Sequence, residues 1–254
     1  MRRVVIPELL DHDAGSPEEI RASLADLRHI NRWFGGIAVS VALVRRILPA
    51  LTQRRLSLLD VGAATGDVAL GVLRALSQKG IALDVTLLDR CPGHLGFGNS
   101  DLGFQNQSPA GRLRISQIPN PNPPMLFRRV AADALALPFA DSSFDAVACG
   151  LFVHHLEPEQ LEIFVAEALR VCRIAVLIND LRRSALPLAL TRVAKPLFRS
   201  RLTRHDSAAS VRRAYTMDEI RAMLPLSMRV EIRPYYLFRM GVIVWKTVKA
   251  SAAE

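Results

Sequence analysis

The sequence predicts an α/β fold in which a doubly wound, mostly parallel sheet of seven strands is flanked by helices. Three observations predict it. Short apolar segments alternate with amphipathic ones from Leu56 onward, the first two apolar segments end on acidic residues, and 174–178 is almost continuously apolar. Repeated strand–helix units form parallel sheets, and ligands bind at the carboxyl ends of their strands.

The predicted elements follow in chain order. Ser16, Pro17 and Glu19 form a capping-box pattern that opens an amphipathic helix over 17–32, and a second apolar helix covers 37–49. The predicted strands span 56–61, 82–88, 127–131, 144–149, 174–178, 228–237 and 239–247. The later predicted helices span 67–78, 158–171 and 217–224, the last opened by a second capping box, Thr216 with Glu219.

One segment has no usable periodicity. Residues 91–126 are rich in Gly, Asn, Pro and Ser, so we expect an irregular flap or disorder there, with a short helix as the alternative. The chain is therefore predicted to be a single domain over 1–254. Its parts are an N-terminal helical cap (17–49), a ligand-binding core (56–180), a basic cap insertion (181–213), and a final helix with two strands (216–247).

Composition argues against a membrane-spanning protein and against a secreted protein with disulfide bonds. Half of the residues are hydrophobic, and no uninterrupted apolar run approaches the ~18 residues that span a bilayer. The first residues lack a signal-peptide pattern, and three widely spaced cysteines (Cys91, Cys149, Cys172) indicate reduced thiols. We expect a soluble cytoplasmic protein whose net charge of +9 favours acidic partners.

The segment Asp60-Val-Gly62-Ala-Ala64-Thr-Gly66 is the most informative in the chain. Its small residues let a ligand lie against a strand end and a helix N-terminus. The acid before the first glycine would repel a pyrophosphate but suits a cationic ligand. A nicotinamide site needs G-x-G-x-x-G, and a P-loop needs G-K-[ST]; this sequence has neither.

Three further features follow in order: Asp89 at the end of the second strand, Asp133-Ala134 after the third, and Cys149–Phe152 after the fourth. With the glycine loop, they resemble class I S-adenosylmethionine (SAM) methyltransferases, particularly the branch with ubiquinone and menaquinone methyltransferases. The resemblance covers roughly 56–180 and implies a Rossmann-like fold with SAM as cofactor. Ala64, where the family usually has glycine, and the insertion after Asp89 depart from the family pattern.

The resemblance implies roles for particular residues. The glycine loop would hold the methionine end of SAM, Asp89 its ribose and Asp133-Ala134 its adenine, while Cys149–Phe152 would flank the methyl group. The expected cofactor-binding residues are Asp60, Gly62, Ala63, Ala64, Gly66, Asp89, Arg90, Asp133, Ala134, Cys149 and Gly150.

Catalytic residues are expected after the fourth and fifth strands. Methyl transfer to a hydroxyl or carbon acid needs an aligned nucleophile and help with proton removal. His154, His155 and Asp180 are the candidates, although either histidine could instead cap or orient the loop before Pro158.

The acceptor pocket is expected to include Phe152 and His205. Trp33 and Phe34 close the first predicted helix and belong either to the core or to the wall of this pocket.

These expectations amount to a SAM-dependent methyltransferase acting on a small, apolar or aromatic metabolite, with O- or C-methylation preferred. Nothing in the residue spacing requires a metal. The basic segment 181–213 predicts a solvated face, peripheral contact with anionic membrane, or a polyanion site. An RNA-modifying methyltransferase is one alternative, disfavoured because aromatic residues are only 6% of the chain. A non-catalytic SAM-binding protein is the second.

Overall fold

In the part of the chain that the structure describes, nine strands form one sheet in the order β3-β4-β5-β2-β1-β6-β7-β9-β8. The computed structural model describes residues 1–91, 93–94, 104–106, 112–115 and 127–247, without the side chains of 104–106, 112–115 and 237. The strands are β1 (Arg55–Val61), β2 (Ala82–Asp89), β3 (Phe104–Asn106), β4 (Arg112–Ile115), β5 (Phe127–Ala131), β6 (Phe144–Gly150), β7 (Cys172–Leu181), β8 (Val230–Tyr235) and β9 (Arg239–Trp245).

The α-helices are α1 (Pro17–Trp33), α2 (Gly36–Ile47), α3 (Asp67–Ser77), α4 (Pro158–Val171), α5 (Ala185–Ala194), α6 (Arg201–Arg213) and α7 (Met217–Met223). Short 3-10 turns lie at Leu10–His12, Leu48–Ala50, Val153–His155, Lys195–Leu197 and Tyr236–Phe238. Both predicted capping boxes are confirmed: the Ser16 and Thr216 side chains each accept a hydrogen bond from the backbone of the glutamate three residues later.

The seven predicted strands are confirmed and form a Rossmann-like core. Strands β5, β2, β1, β6 and β7 are parallel, and β9 and β8 extend them in antiparallel pairing. Chain order reverses direction between β1 and β6, which is the topological switch point where open α/β sheets bind ligands.

The segment 91–126 was predicted to be irregular or helical, and its described part instead contributes β3 and β4. These short strands continue the sheet beyond β5 in antiparallel pairing. The rest of that prediction, and the residues after 247, lie outside the described residues. The division of the chain into domain parts stays a prediction.

The core has a layer on each face of the sheet because successive residues of a strand point to opposite faces. In β1, Leu58 packs in the layer that contains α2 and α3, and Leu59 packs in the layer that contains α4 and α7. Cys149 and Cys172 are buried in the second layer.

A third, smaller cluster fixes the N-terminal cap. Ile20 and Leu24 of α1 pack against Leu202 of α6, with Ala64 of the glycine loop at the edge. The cap therefore lies over the carboxyl end of the sheet, and the helices α5 and α6, which were not predicted, complete it. Pro196 lies in the 3-10 turn between them.

Among the described residues, no single helix combines the length and apolarity needed to cross a membrane. The segments Pro17–Trp33 and Gly36–Ala50 pass that test only as a pair, and they are bent by 55° at the break between them.

Candidate functional site

A cavity of about 640 Å³ opens at the carboxyl ends of β1, β2 and β6. The glycine loop, Asp89 and Asp133 line one end of it, and the segment after β6 lines the middle. Residues of the N-terminal segment, α1 and α6 line the rest of it.

The glycine loop keeps its backbone open toward the cavity. Gly62 and Gly66 have φ of 65° and 75°, which non-glycine residues rarely adopt. A Cβ at Gly62 would lie 2.8 Å from Cδ2 of Phe152, and one at Gly66 would lie 2.7 Å from Cδ1 of Leu87. Ala64 also has a positive φ, 44°, so the residue that departs from the family pattern adopts the glycine conformation.

Asp89 is oriented by the backbone around it. Its Oδ2 accepts a hydrogen bond from the Ala64 amide at 3.0 Å, and its Oδ1 accepts one from the Cys91 amide at 3.0 Å. Each carboxylate oxygen retains acceptor capacity, so the group can still bind two hydroxyls of a ribose.

Asp60 is buried, with 5% of its surface exposed, and it lines the cavity. Burial, reinforced by the charges of Asp67 and Asp89, raises its pKa to about 7. A cation bound beside Asp60 would favour its ionised form. This end of the cavity therefore has carboxylates that suit a positively charged ligand.

Asp133 and Ala134, which follow β5 after Ala132, line the same cavity. Asp133 is exposed and its Oδ1 accepts a hydrogen bond from the Leu135 amide at 2.9 Å, while Ala134 is buried. Arg90 is exposed at the rim, and its guanidinium donates to the Asp11 carbonyl at 3.4 Å. All three line the cavity, as does Gly150.

The other end of the cavity has an aromatic and histidine wall. The Phe152 ring packs edge-on against Phe164, with 5.2 Å between ring centroids. His154 and His155 follow in a 3-10 turn, and their ring centroids are 4.2 Å apart. Phe152 and both histidines line the cavity, as the sequence predicted.

Carboxylates hold both imidazole rings. The Nδ1 of His154 is 2.7 Å from Oδ1 of Asp180, and the Nδ1 of His155 is 2.8 Å from Oδ2 of Asp11. On the opposite edges of the rings, Glu8 lies between them: its Oε1 is 3.4 Å from Nε2 of His154, and its Oε2 is 4.0 Å from Nε2 of His155.

The charges in this group depend on one another. Burial lowers the pKa of His154, but Asp180 and Glu8 outweigh burial and raise it to about 10. Burial raises the pKa values of Glu8 and Asp180, but the neighbouring His154 imidazole outweighs burial and holds both below their usual values. The wall is therefore a coupled ionic group with Glu8 and Asp180 ionised.

Asp180 does not line the cavity, contrary to the expectation that it is a direct catalytic group. It is 1% exposed, and its carboxylate accepts hydrogen bonds from the His154 ring, the His154 amide and the Leu181 amide. It can act only through His154. Cys149 was expected at the cofactor, but its side chain is buried in the core because it points away from the cavity.

Three expected pocket residues also lie outside the cavity. Trp33 and Phe34 are 64% and 52% exposed, so both alternatives, core and pocket wall, were wrong. Helix α1 turns its Leu24, Leu27 and Ile30 to the cavity instead, and Trp33 lies under the Arg32 guanidinium. His205 contacts the Asp206 carboxylate at 2.8 Å and does not line the cavity, because α6 presents other residues there.

The N-terminal segment carries site residues that the sequence did not predict. Glu8 and Asp11 reach the histidines because the Asp206 carboxylate accepts hydrogen bonds from the Leu9 and Leu10 amides at 2.8 and 3.1 Å. The only sequence signal was the pair of acids, Glu8 and Asp11, three residues apart before the first helix. Their histidine partners lie on a distant element, after β6.

The comparisons agree with this geometry. Residues 59–176 match the family described as a methyltransferase domain (Methyltransf_11). No curated protein matches the chain in sequence.

Solved structures share the fold. A SAM-dependent methyltransferase from Aquifex aeolicus superposes with a TM-score of 0.52 at 15% identity, covering 80% of this chain and 89% of the other. The plantazolicin methyltransferase BpumL, solved in complex with a triazolic desmethylPZN analog and SAH, superposes with a TM-score of 0.61 at 12% identity, and the match covers 95% of each chain. The pyocyanin biosynthetic protein PhzM superposes with a TM-score of 0.51 at 16% identity, and the match covers 81% of this chain and 55% of the other.

Proposed function

We propose that this chain, whose residues 59–176 match a methyltransferase-domain family, is a SAM-dependent methyltransferase that methylates a small, apolar or aromatic metabolite on oxygen or carbon. One observation carries the proposal. The cavity that contains the glycine loop is also lined by Phe152, by apolar residues of α1 and by the two histidines. Such a space suits an acceptor with an apolar body and one ionisable group.

The cofactor end of the cavity fits SAM. Asp60 would face the cationic methionine end, the backbone of Gly62 and Gly66 would allow close approach, and Asp89 would bind the ribose. Asp133 and Ala134 would flank the adenine. When bound, SAM supplies an electrophilic methyl group on a sulfonium centre. The residues of this end would bind and orient it.

The acceptor end offers position and polarity. Leu24, Leu27 and Ile30 would pack on the acceptor's apolar body, while His154, His155 and Glu8 would orient its hydroxyl or acidic carbon. Alignment of the nucleophile opposite the methyl group would supply most of the rate enhancement. The described segment after β6 has no Asn/Asp-Pro-Pro-Tyr/Phe motif, which favours oxygen or carbon over nitrogen as the methylated atom.

The RNA alternative loses support because the basic segment is not continuous with the cofactor end. From 181–213, only Arg213 brings a cation to the cavity, and it donates to the His155 carbonyl. Arg183 is buried against Glu219, and Arg201 pairs with Glu19. A salt-sensitive RNA affinity would revive this alternative. The extension of the cavity to Phe152 and both histidines argues against a non-catalytic SAM-binding protein.

Helix α5 and the turn after it favour peripheral contact with anionic membrane. Four apolar side chains at helical spacing are exposed by 47–80%: Leu186, Leu190, Val193 and Leu197. Arg192 and Lys195 are exposed beside them. An apolar stripe flanked by cations binds anionic bilayers through burial and charge together, and it would bring the enzyme to a lipophilic acceptor.

Vesicle co-sedimentation tests this contact. The chain should sediment with vesicles of mixed anionic and zwitterionic lipid and much less with purely zwitterionic ones. A combined Leu190→Ser, Val193→Ser and Leu197→Ser variant should stay in the supernatant. Leu226→Ser is the matched control, since Leu226 is 98% exposed away from α5. Equal sedimentation of both variants would contradict the proposal.

The activity is tested in two steps. Thermal unfolding with SAM, S-adenosylhomocysteine and NADH comes first; ligand at ~100 times its Kd adds about 2.7 kcal/mol, a rise of roughly 5–10 °C. We expect the rise with the first two ligands only. Phenols and quinols, small carbon acids and RNA are then screened with methyl-labelled SAM. Transfer to RNA alone would overturn the proposed acceptor class.

A further inference from the structure

Glu8, His154 and His155 converge at the acceptor end of the cavity on a common point. The ligand-type atoms of the three side chains lie within 4.8 Å of one another. Glu8 is 7% exposed and His154 is 2% exposed, so both are out of water. Neither Oε1 of Glu8 nor Nε2 of His154 has a hydrogen-bond partner, although both are buried.

Unpartnered buried polar atoms are costly, and two that face each other indicate a missing third component. Their separation of 3.4 Å is long for a hydrogen bond. It is the separation expected of two ligand atoms that each lie about 2.0–2.2 Å from one ion in tetrahedral geometry.

The outer edges of both rings point to the same interpretation. The Nδ1 of His154 faces Asp180 at 2.7 Å, and the Nδ1 of His155 faces Asp11 at 2.8 Å. A histidine that binds a metal through Nε2 commonly donates its Nδ1–H to a carboxylate, which fixes the tautomer and orients the ring. Both histidines have this arrangement, and both Nε2 atoms turn toward Glu8.

The charge around the cluster is suited to a cation. Glu8, Asp11 and Asp180 contribute three carboxylates. Arg213 lies 3.8 Å from Asp11, and the buried Arg239 acts on Asp180 electrostatically. With both guanidiniums included, the acids still exceed the cations when the histidines are neutral.

We propose that Glu8, His154 and His155 bind a divalent transition-metal ion at the acceptor end of the cavity, with Zn²⁺ as the best match to the donors. Two imidazoles and one carboxylate are a recurrent ligand set for such ions, and they leave coordination positions open. The sequence had led to the expectation of no metal, because the ligands lie on two distant segments.

The open positions would face the acceptor, since all three ligands line the cavity. An acceptor hydroxyl bound there would lose its proton more readily and would be held in one orientation. This role rests on the proposed function, whereas metal binding itself does not. The acceptor class becomes narrower: molecules with a hydroxyl, and best with a neighbouring second oxygen that can chelate the ion.

Metal binding is measured on the full chain after chelator treatment and dialysis. Titration calorimetry with Zn²⁺ should show one site per chain, and the visible spectrum of the Co²⁺ form should indicate nitrogen and oxygen ligands. Glu8→Gln and His155→Ala should each weaken Zn²⁺ binding at least ~10-fold, and Asp11→Asn should weaken it by about 10-fold through the ring it orients.

The second group of possible ligands, Asp13, Cys91 and His94, provides the matched control. There, His94 already contacts Asp13 at 2.9 Å, and Asp13 is exposed. His94→Ala should leave the high-affinity Zn²⁺ site unchanged. Binding of SAM by every variant shows that it is folded.

Three results would overturn the proposal: no Zn²⁺ binding by protein that still binds SAM, unchanged affinity in Glu8→Gln and His155→Ala, or loss of the site in His94→Ala. None of them would affect the proposed methyl transfer. Conversely, a chain that binds Zn²⁺ but transfers no methyl group would contradict only the proposed function.

Discussion

The two ends of the cavity are built in different ways. The cofactor end comes mainly from one β1-α3-β2 unit, in which the Asp89 carboxylate accepts from the Ala64 amide 25 residues earlier. The acceptor end joins distant segments: Asp11 and the His155 ring are 144 residues apart, and Leu9 and Asp206 are 197 apart. One end is a local motif, and the other exists only once the cap has packed.

Their electrostatics differ as well. At the cofactor end, Asp60 is buried without a cation and its pKa is raised to about 7 by burial and by neighbouring acids. At the acceptor end, Glu8 and Asp180 face an imidazole that holds their pKa values low despite burial. The Asp60 carboxylate at the cofactor end therefore needs a cationic ligand to compensate its charge. At the acceptor end, the His154 imidazole compensates much of the charge of Glu8 and Asp180.

The largest effect is expected at Asp89. Asp89→Ala removes two backbone contacts and the two hydrogen bonds to ribose that we propose, and charge-assisted hydrogen bonds contribute about 1.5–3 kcal/mol each. SAM affinity, measured by calorimetry, should fall ~100-fold or more. Asp84→Ala in the same strand is the matched control, because Asp84 pairs with Arg55 at the far end of β2. Similar losses in both variants would show that Asp89 acts through folding alone.

Glu8 separates the two ends. Glu8→Gln keeps the side-chain shape but removes the charge that faces both histidines, so methyl transfer should fall ~10–100-fold. SAM affinity should stay within about 2-fold, because Glu8 lies at the opposite end of the cavity. Single-turnover rates and calorimetry measure the two quantities. The exposed Glu159→Gln on α4 should change neither. A parallel loss of SAM affinity in Glu8→Gln would contradict the division into two ends.

Asp60 should make SAM binding pH-dependent. Its pKa of about 7 means that acid protonates the group that faces the cationic cofactor. SAM affinity should therefore fall about 10-fold or more between about pH 7.5 and about pH 5.5. Asp60→Asn should bind SAM weakly with a flat profile over this range. If SAM affinity in the unmodified chain did not change with pH over this range, Asp60 would not interact with the charge of the cofactor.

The same group has the opposite effect on the ligand-free fold. Because the folded-state pKa of Asp60 is raised above 3.8, the folded state retains the proton longer, and stability decreases as pH rises from about 4 through about 7. Asp60→Asn should therefore raise the free energy of unfolding at about pH 8, on the order of 2 kcal/mol. Chemical denaturation measures this change; a variant destabilised at that pH would argue against a buried, uncompensated carboxylate.

The smallest effect is expected at Ala64. Its φ of 44° costs an alanine roughly 1–2 kcal/mol, which glycine would avoid, but glycine gives up chain entropy and a methyl contact with the α1 cluster. Ala64→Gly should therefore stabilise the fold by less than about 1 kcal/mol. Ala63→Gly is the control and should destabilise by about 1 kcal/mol, because Ala63 is buried and has no positive φ. Equal destabilisation of both would show that Ala64 is unstrained.

The cofactor end could be predicted residue by residue because its signals are local. Gly62 and Gly66 must follow a strand and precede a helix, and Asp89 must end the neighbouring strand. At this end, the expected position of Cys149 was wrong, and the contacts that orient Asp89 were not predicted. Cys149 faces the core because a strand alternates its faces, and the backbone contacts that orient Asp89 depend on the loop conformation.

The acceptor end was predicted only in part. His154 and His155 follow a predicted strand, so the sequence predicted their position at the edge of the sheet. Asp180 was also placed near them, but only packing shows that it supports His154 from behind. Trp33 and Phe34 were expected in the core or the pocket wall, but both are exposed. Helical periodicity does not show which end of an amphipathic helix extends beyond the core.

The sequence by itself determined the α/β class, the seven core strands, the capped helices and the glycine loop, because each depends on residues near one another in the chain. Only the tertiary structure decided which side chains meet at the acceptor end. Glu8 reaches the histidines because Asp206 anchors the backbone of the N-terminal segment, and Leu202 packs under α1. Such contacts depend on the relative placement of elements far apart in sequence, which local patterns do not encode.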